Sequence, residues 1–294
     1  MAIFLALLYE NHFNGPQLVA LITGNGNTIE DNVYRNNQII LKVANRQDVP
    51  IYRGAKKSIL TTLIADNYYG KDGLGDSGDT YTDLVPAKEE NAVTALIEYS
   101  KKYEGELTLI TIGALTNVAL AVSVDPNFIG RLKHLYIGAG HIHSEYESGP
   151  EFNALVDVEA YHIVAQNSTS DKVTVIPFSQ VIHHLNISKD WRINELGAID
   201  TKIIKHQNKF ENVSLAKQKF WTALDPAVIG IYLRPDLITE YKYSKNDINL
   251  SGEQRGIVTN EFVDKADANV RIAYSIKYDE YVQFLLDVFK HDAV

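Results

Sequence analysis

Short apolar runs recur along this chain, and each of them ends at a turn residue. Four such runs are followed directly by glycine or proline: residues 17–23, 107–112, 134–137 and 172–176. Short continuous apolar runs bounded by turn residues are typical of buried parallel strands. Longer segments with helical spacing of their apolar residues lie between the runs. The alternation predicts an α/β fold with a mostly parallel, Rossmann-like central sheet and helices on both of its faces.

The amphipathic segments supply the helices of this prediction. Thr28 is in position to cap a helix that continues to about Val43, and residues 116–123 predict a second helix. Three late segments predict two strands and a closing helix: residues 255–259, 269–274 and 278–290. No linker, low-complexity segment or internal repeat interrupts the pattern. Residues 1–294 are therefore predicted to form a single domain.

The charge balance narrows the functional classes. The chain has 37 acidic and 28 basic residues, a formal net charge of −9, which argues against a nucleic-acid-binding protein because such proteins present a basic face. No apolar run approaches the roughly 18 residues that span a bilayer, so no membrane segment is predicted. The absence of cysteine excludes a thiol nucleophile. The compartment stays open: a cytoplasmic location is slightly favoured, and secretion is an alternative if a longer N-terminus exists.

The richest candidate chemistry lies in residues 151–160. Glu151 and Asn153 are two positions apart, so on an extended backbone both side chains point the same way. A carboxylate and a carboxamide on one face can bind vicinal hydroxyl groups, which indicates a sugar site. The alternative is structural: Asp157 suits a helix N-cap, and Glu159 suits the positive end of a helix dipole.

Two pairs of histidines are candidate metal ligands: His141 with His143, and His183 with His184. A zinc site needs further ligands at suitable spacing, and the sequence offers none beside either pair. Surface or core histidines are therefore the favoured interpretation.

Seven separated segments occur in an order that is itself informative. They are G-N with R-N at residues 26–36, V-P-I-Y-R-G-A at 49–55, G-K-D-G-L-G-D at 70–76, I-G-A-L-T-N-V-A at 112–119, E-F-N-A-L-V-D-V-E-A at 151–160, D-P-A-V at 225–228, and R-G with N-V-R at 255–271. Together they resemble the inosine–uridine-preferring nucleoside hydrolase family, over roughly residues 2–290. Each motif is weak alone, and their common order carries the resemblance.

The resemblance implies a nucleoside hydrolase fold, hydrolysis of the N-glycosidic bond of ribonucleosides to ribose and free base, and a bound Ca²⁺. Carried over by position, Asn27, Glu151 and Asn153 would contact the ribose. Asp225 would bind calcium through its carboxylate, and Ile112 would bind it through its backbone carbonyl. The resemblance also implies a homodimer or homotetramer and a nucleoside as the small-molecule partner.

The sequence departs from the family pattern in two places. The family has D-T-D-x-G-x-D-D at the end of an N-terminal strand, whereas this sequence begins at Met1 with a segment that resembles the helix following that strand. Those aspartates would supply most calcium ligands and the general base. We therefore expect a nucleoside hydrolase fold lacking its first strand, weak calcium binding and impaired turnover. Leu224 also stands where many members have the histidine thought to protonate the leaving base.

Two other interpretations of the sequence remain. One is a non-catalytic nucleoside- or ribose-binding protein that keeps the sugar site without the metal chemistry. The other is an unrelated α/β carbohydrate-binding or transferase domain, which the ordered motifs disfavour. The preferred base, purine or pyrimidine, is not readable from the sequence.

Overall fold

The apolar runs form the strands of an α/β sheet. The computed structural model describes residues 1–60 and 65–292. Over this part of the chain the strands are β1 (Leu21–Ile22), β2 (Ile51–Tyr52), β3 (Thr108–Thr111), β4 (His134–Gly138), β5 (Val173–Ile176), β6 (Ile187–Ser188), β7 (Phe220–Trp221), β8 (Ile238–Ile248), β9 (Val258–Phe262) and β10 (Val270–Ile276).

Helices fill the intervals between the strands. They are α1 (Ala2–His12), α2 (Glu30–Val43), α3 (Ala92–Lys102), α4 (Thr116–Val124), α5 (Phe128–Arg131), α6 (Phe152–Val156), α7 (Val158–Gln166), α8 (Phe178–His184), α9 (Lys189–Trp191), α10 (Lys202–Phe210), α11 (Asn212–Lys217), α12 (Leu224–Leu233) and α13 (Tyr278–Phe289). A π-helical turn, Arg192–Leu196, follows α9. Within the described ranges, none of these helices has the length and apolar character that a membrane crossing requires.

The main sheet has six strands in the order β3-β4-β5-β10-β8-β9. The pairs β3–β4, β4–β5 and β5–β10 are parallel, while β8 pairs antiparallel with both β10 and β9. The prediction of a mostly parallel α/β sheet is confirmed.

Two apolar clusters show that helices cover both faces of this sheet. One cluster unites α1, α12 and α13 through residues such as Phe4, Val228 and Phe284. The other unites α4 and α7 with the strands through residues such as Val118 and Val164. Burial on both faces explains why the parallel strands read as continuous apolar runs.

A separate two-stranded parallel sheet is formed by β1 and β2, with Leu21 opposite Ile51. In the described structure β3 is a lateral edge strand, and its four residues are only half-buried. Asn117 at the start of α4 ties the small sheet in place, since its Nδ2 donates to the Thr23 carbonyl (2.9 Å) and its Oδ1 accepts from Ala55 N (2.9 Å). A Cβ at Gly54 would lie 2.0 Å from the Thr23 oxygen, so only glycine fits this junction.

One sequence-based expectation about the elements is wrong, and one element was not predicted. The helix α2 begins at Glu30 with Ile29 as N-cap, because the Thr28 hydroxyl accepts from Asn32 Nδ2 (2.8 Å) instead of capping the backbone. The eleven-residue strand β8 was not predicted. From Ser244 to Ile248 its side chains alternate between buried and more exposed, and four of its eleven residues are charged, as suits an antiparallel strand with one wet face.

Candidate active site

The loops that follow the parallel strands meet at the carboxyl end of the sheet, where open α/β folds bind ligands. The first turn of α12 packs directly on the end of β4. A Cβ at Gly138 would lie 2.6 Å from Val228 Cγ2 and 3.5 Å from Leu224 Cγ. This close approach brings Leu224 and Asp225 beside the end of β4.

Glu151 is the N-cap of helix α6. The expectation that the backbone is extended from Glu151 to Asn153 is wrong, because Asn153 lies in this helix. Glu151 Oε2 accepts from Gly140 N (2.8 Å) and Ala154 N (3.0 Å), and its Oε1 accepts from Asn153 N (3.0 Å). An N-cap and the residue two positions later are close in space, so the spacing of the acid and the amide fits a helix start as well as a strand.

The three N–H donors limit what Glu151 can do for a ligand. A carboxylate has about four lone-pair positions. Three are occupied by backbone N–H groups, which leaves one position on Oε1 for a hydroxyl group. The side chain is buried, with 4% of the residue exposed. Burial raises the pKa of Glu151, the three backbone hydrogen bonds oppose that shift, and the nearby Asp225 adds to it.

Asn153 and Asp225 lie next to this capped carboxylate. Asn153 Nδ2 donates to the Gly138 carbonyl (2.9 Å), so its amide is fixed against the same end of β4 that α12 contacts. Asp225 is in the first turn of α12, next to Leu224, whose side chain approaches Gly138. The structure therefore brings together three of the residues predicted for the site.

Asp157 and Glu159 have structural roles, which was the alternative to a sugar site. Asp157 caps α7 through Ala160 N (3.1 Å) and also accepts from Thr116 Oγ1 (2.6 Å). Glu159 pairs with Arg255 at 2.7 Å. The second half of the 151–160 motif thus holds helices together rather than facing the sugar site.

Asp225 is surrounded by protein although part of its surface stays accessible. Burial raises its pKa to about 6, the amino group of Met1 opposes this shift, and Glu211 adds to it. Burial also raises the pKa of Tyr69, with further contributions from Asp225 and Glu211. A desolvated carboxylate beside a second carboxylate and a phenol is typical of a functional site.

Glu211 is held by a buried arginine that sequence reasoning did not find. Arg192 has no exposed surface, and its Nη2 lies 2.7 Å from Glu211 Oε2. The same guanidinium donates to Asn208 Oδ1 (2.9 Å) and lies 5.7 Å from the centre of the Trp221 ring. Trp221 is 3% exposed, so its ring packs in the core. The pairing partners are 19 residues apart, and no local pattern signals such a contact.

Asn27 and Ile112 lie at the same end of the sheet but outside this group. Asn27 Nδ2 is 3.3 Å from Asp66 Oδ1, and within the described ranges it forms no hydrogen bond to Glu151, Asn153 or Asp225. Ile112 directly follows β3, which places its carbonyl at the carboxyl end of the strand. Their predicted roles in ribose and calcium binding stay predictions.

The oxygen ligands of this region are too few for calcium. Ca²⁺ takes six to eight oxygens. Over residues 1–60 and 65–292, no group of three or more histidine, aspartate or glutamate side chains is arranged to hold a metal ion. Asp225 with the Ile112 carbonyl falls short of such a set, and the described residues therefore do not fit the ion.

His141 is a buried, uncharged member of the wall beside the site. Its ring stacks on Phe178 at 6.0 Å between centres and lies 4.8 Å from Tyr146, and 5% of the residue is exposed. Burial lowers its pKa to about 4, with a smaller contribution from His143. The favoured interpretation of His141 as a core histidine agrees with this packing.

Replacing His141 with phenylalanine should weaken the pH dependence of stability. Below its ordinary pKa the unfolded chain protonates this histidine, whereas the folded protein does so only near pH 4. Wild-type stability is therefore lost as the pH falls, and H141F should retain up to roughly 2–3 kcal/mol more between about pH 7 and pH 4.5. Urea unfolding at both pH values measures this, with H12F at an exposed position as the control. Equal losses in H141F and wild type would contradict the expectation.

Solved structures with the same fold define the class of protein. A plant nucleoside hydrolase superposes with a TM-score of 0.81 at 24% identity, covering 98% of this chain and 94% of that chain. An inosine-guanosine nucleoside hydrolase superposes with a TM-score of 0.88 at 19% identity, covering 99% of this chain and 94% of that chain. The fold is that of the nucleoside hydrolases, as the sequence motifs predicted.

Sequence comparison gives the family. The model for the inosine-uridine preferring nucleoside hydrolases matches residues 1–283, and the chain belongs to that family. It is 28% identical to probable uridine nucleosidase 2 of Arabidopsis thaliana over 98% of this chain and 92% of that protein. It is 23% identical to the inosine-uridine preferring nucleoside hydrolase of Crithidia fasciculata over 93% of this chain and 89% of that protein. By family the protein is a hydrolase acting on N-glycosyl compounds.

Proposed function

We propose that this protein hydrolyses the N-glycosidic bond of ribonucleosides to give ribose and a free base. The observation that carries the proposal is that Glu151, Asn153 and the first turn of α12, which carries Asp225, all contact residues 138–140 at the carboxyl end of the sheet, in a chain of this family. A nucleoside is the substrate class that the relatives' names indicate.

The arrangement suits the charge that develops during the reaction. Glycosidic cleavage passes through an oxocarbenium-like state, in which the sugar ring becomes positive. The carboxylate of Asp225 lies in a desolvated region, where it would stabilise that charge more strongly than in water. The one open position on Glu151 Oε1 and the amide of Asn153 would orient the ribose hydroxyl groups.

Two features limit the rate that these residues can support. Leu224 has no proton to give to the departing base, so protonation from that position is ruled out. The described residues also lack a full set of calcium ligands. We propose that a polypeptide of these 294 residues binds Ca²⁺ weakly and turns nucleosides over slowly.

A second candidate is binding of a nucleoside or ribose without turnover. Two features favour it. Leu224 is apolar, and Asp225 is the one carboxylate that the family resemblance assigns to a metal. Homodimer or homotetramer assembly is a further proposal from the family resemblance, and light scattering of the purified chain tests it.

A ribose-release assay with inosine and uridine separates the two candidates. We expect slow release by the 294-residue chain, little change on adding Ca²⁺, and at least a roughly tenfold loss in Asp225→Asn because a charge beside the reacting sugar is removed. Asp236→Asn is the matched control, since Asp236 forms an exposed pair with Arg234. Calorimetry with the same nucleosides reports binding alone. Binding without release would support the second candidate, and neither binding nor release would overturn both.

A further inference from the structure

A second polar cluster lies at the amino end of the main sheet, opposite the candidate active site. Thr174 on β5 is level with Tyr136 on β4 and with Arg271 on β10. His134 and Lys172 precede Tyr136 and Thr174 by two residues, so all these side chains emerge on one face. We call His134, Lys172, Thr174 and Arg271 the amino-end cluster.

Arg271 is held rigidly with part of its guanidinium unused. Thr174 is fully buried, and its Oγ1 accepts from Arg271 Nε (3.1 Å) and Nη2 (3.0 Å). The guanidinium also stacks 4.3 Å from the centre of the Tyr241 ring. Arginine has five N–H donors. Two are used on Thr174, which leaves three on Nη1 and Nη2, including the end-on fork that binds oxyanions through two parallel hydrogen bonds.

No carboxylate lies within 4.0 Å of this guanidinium among residues 1–60 and 65–292, although Asp171 attracts it from further away. Of the chain's eight arginines, six pair with a carboxylate within 4.0 Å. Arg271 is half-buried and forms no ion pair among residues 1–60 and 65–292. Lys172 also has no carboxylate partner in the same ranges. Its Nζ donates to the Leu132 carbonyl (2.6 Å). The nearby Asp171 is already paired with Lys265 at 2.6 Å.

His134 completes the hydrogen bonding of the cluster without adding charge. Its Nε2 is 2.7 Å from Thr174 Oγ1. Because Thr174 accepts from Arg271, its one proton is donated to this ring nitrogen. Burial, followed by the charges of Arg271 and Lys172, lowers the pKa of His134 to about 4. The cluster therefore has two uncompensated cations and a neutral histidine at neutral pH.

We propose that the amino-end cluster binds a phosphate-type oxyanion, with the fork of Arg271 as a bidentate donor and Lys172 as the second charge. A half-buried guanidinium that is pre-oriented and unpaired in a protein with a net charge of −9 is suited to an anionic ligand. Inorganic phosphate and the phosphate group of a nucleoside monophosphate share this chemistry. The site lies at the far end of the strands from Glu151 and Asp225, so it is independent of nucleoside hydrolysis.

Calorimetric titration with inorganic phosphate and with uridine 5′-monophosphate tests the site. We expect phosphate binding to wild type and at least a roughly tenfold weaker affinity in Arg271→Gln, since charge-assisted hydrogen bonds are lost. Arg271→Lys should bind with intermediate affinity, because it keeps the charge without the fork. Lys172→Gln should also bind more weakly. Arg234→Gln, which removes an exposed arginine paired with Asp236, should bind as wild type does.

The results separate the two sources of phosphate and can overturn the site. Tighter binding of the nucleotide than of phosphate, with the same loss in R271Q, identifies a nucleotide ligand, and binding of phosphate alone identifies the free anion. Absence of phosphate binding at roughly 10 mM, or equal affinities in R271Q, K172Q and wild type, overturns the proposal. Should R271Q fail to fold, R271K and K172Q still decide the question. No readout depends on hydrolysis, so failure here leaves the proposed function untouched.

Discussion

Replacing Arg192 with methionine should lower the free energy of unfolding by about 3–5 kcal/mol, the usual cost of breaking a buried ion pair. Arg192 has no exposed surface and Glu211 is 7% exposed, so the remaining carboxylate would be buried without its partner. Glu211 already raises the pKa of Asp225 through like-charge repulsion, and the amino group of Met1 opposes that shift. Urea unfolding of purified wild type and R192M measures the change.

A double variant distinguishes the lost partner from a lost packing contact. Arg192→Met with Glu211→Leu removes both charges, and most of the stability should return because no buried charge is left unpaired. Arg234→Met is the control, since the pair of Arg234 with Asp236 is exposed and should contribute less than about 1 kcal/mol. A double variant as unstable as R192M would show that the guanidinium acts through its contact with Trp221 instead.

Replacing Glu151 with glutamine should reduce both stability and catalysis. A glutamine amide has one oxygen, so it cannot accept from Gly140, Ala154 and Asn153 together, and at least one buried N–H would face an NH₂ group. An unpaired buried donor costs about 1–3 kcal/mol. The start of the helix would also move, and Asn153 would move with it. We expect this displacement to lower kcat/KM for nucleosides. Thermal unfolding and ribose release measure the two effects.

The matched control for this change is Glu159→Gln. Glu159 forms a partly exposed pair with Arg255, so its loss should cost less than about 1 kcal/mol. Equal unfolding temperatures of E151Q and E159Q would mean that water replaces the missing acceptor in E151Q. The proposed placement of the ribose hydroxyl on Oε1 would then lose its support.

The sequence predicted the parallel half of the fold because continuous apolar runs of this length are typical of strands buried on both faces. It did not predict β8, since an antiparallel strand with one wet face carries charged residues such as Lys245 and Asp247 and resembles a loop. The helix start at Thr28 was misplaced because a hydroxyl can bond an asparagine side chain as readily as a backbone N–H.

The site was predicted residue by residue and misread in its geometry. Glu151 and Asn153 do lie together, but a two-residue spacing does not distinguish a strand from a helix cap. The Arg192–Glu211 pair depends on the packing of α10 and the π-helical turn, which no local pattern encodes. Motif order predicted these residues for the site, and their roles there stay predictions. The contacts add that Glu151 has one open acceptor position.

The half-buried lateral edge of β3 has a consequence for handling the protein. An edge strand presents backbone N–H and C=O groups that can pair with another extended chain. Proteins blunt such edges with charge, proline or short length, and Thr108–Thr111 has neither charge nor proline but is only four residues long. We therefore expect concentrated solutions of this polypeptide to self-associate through this edge.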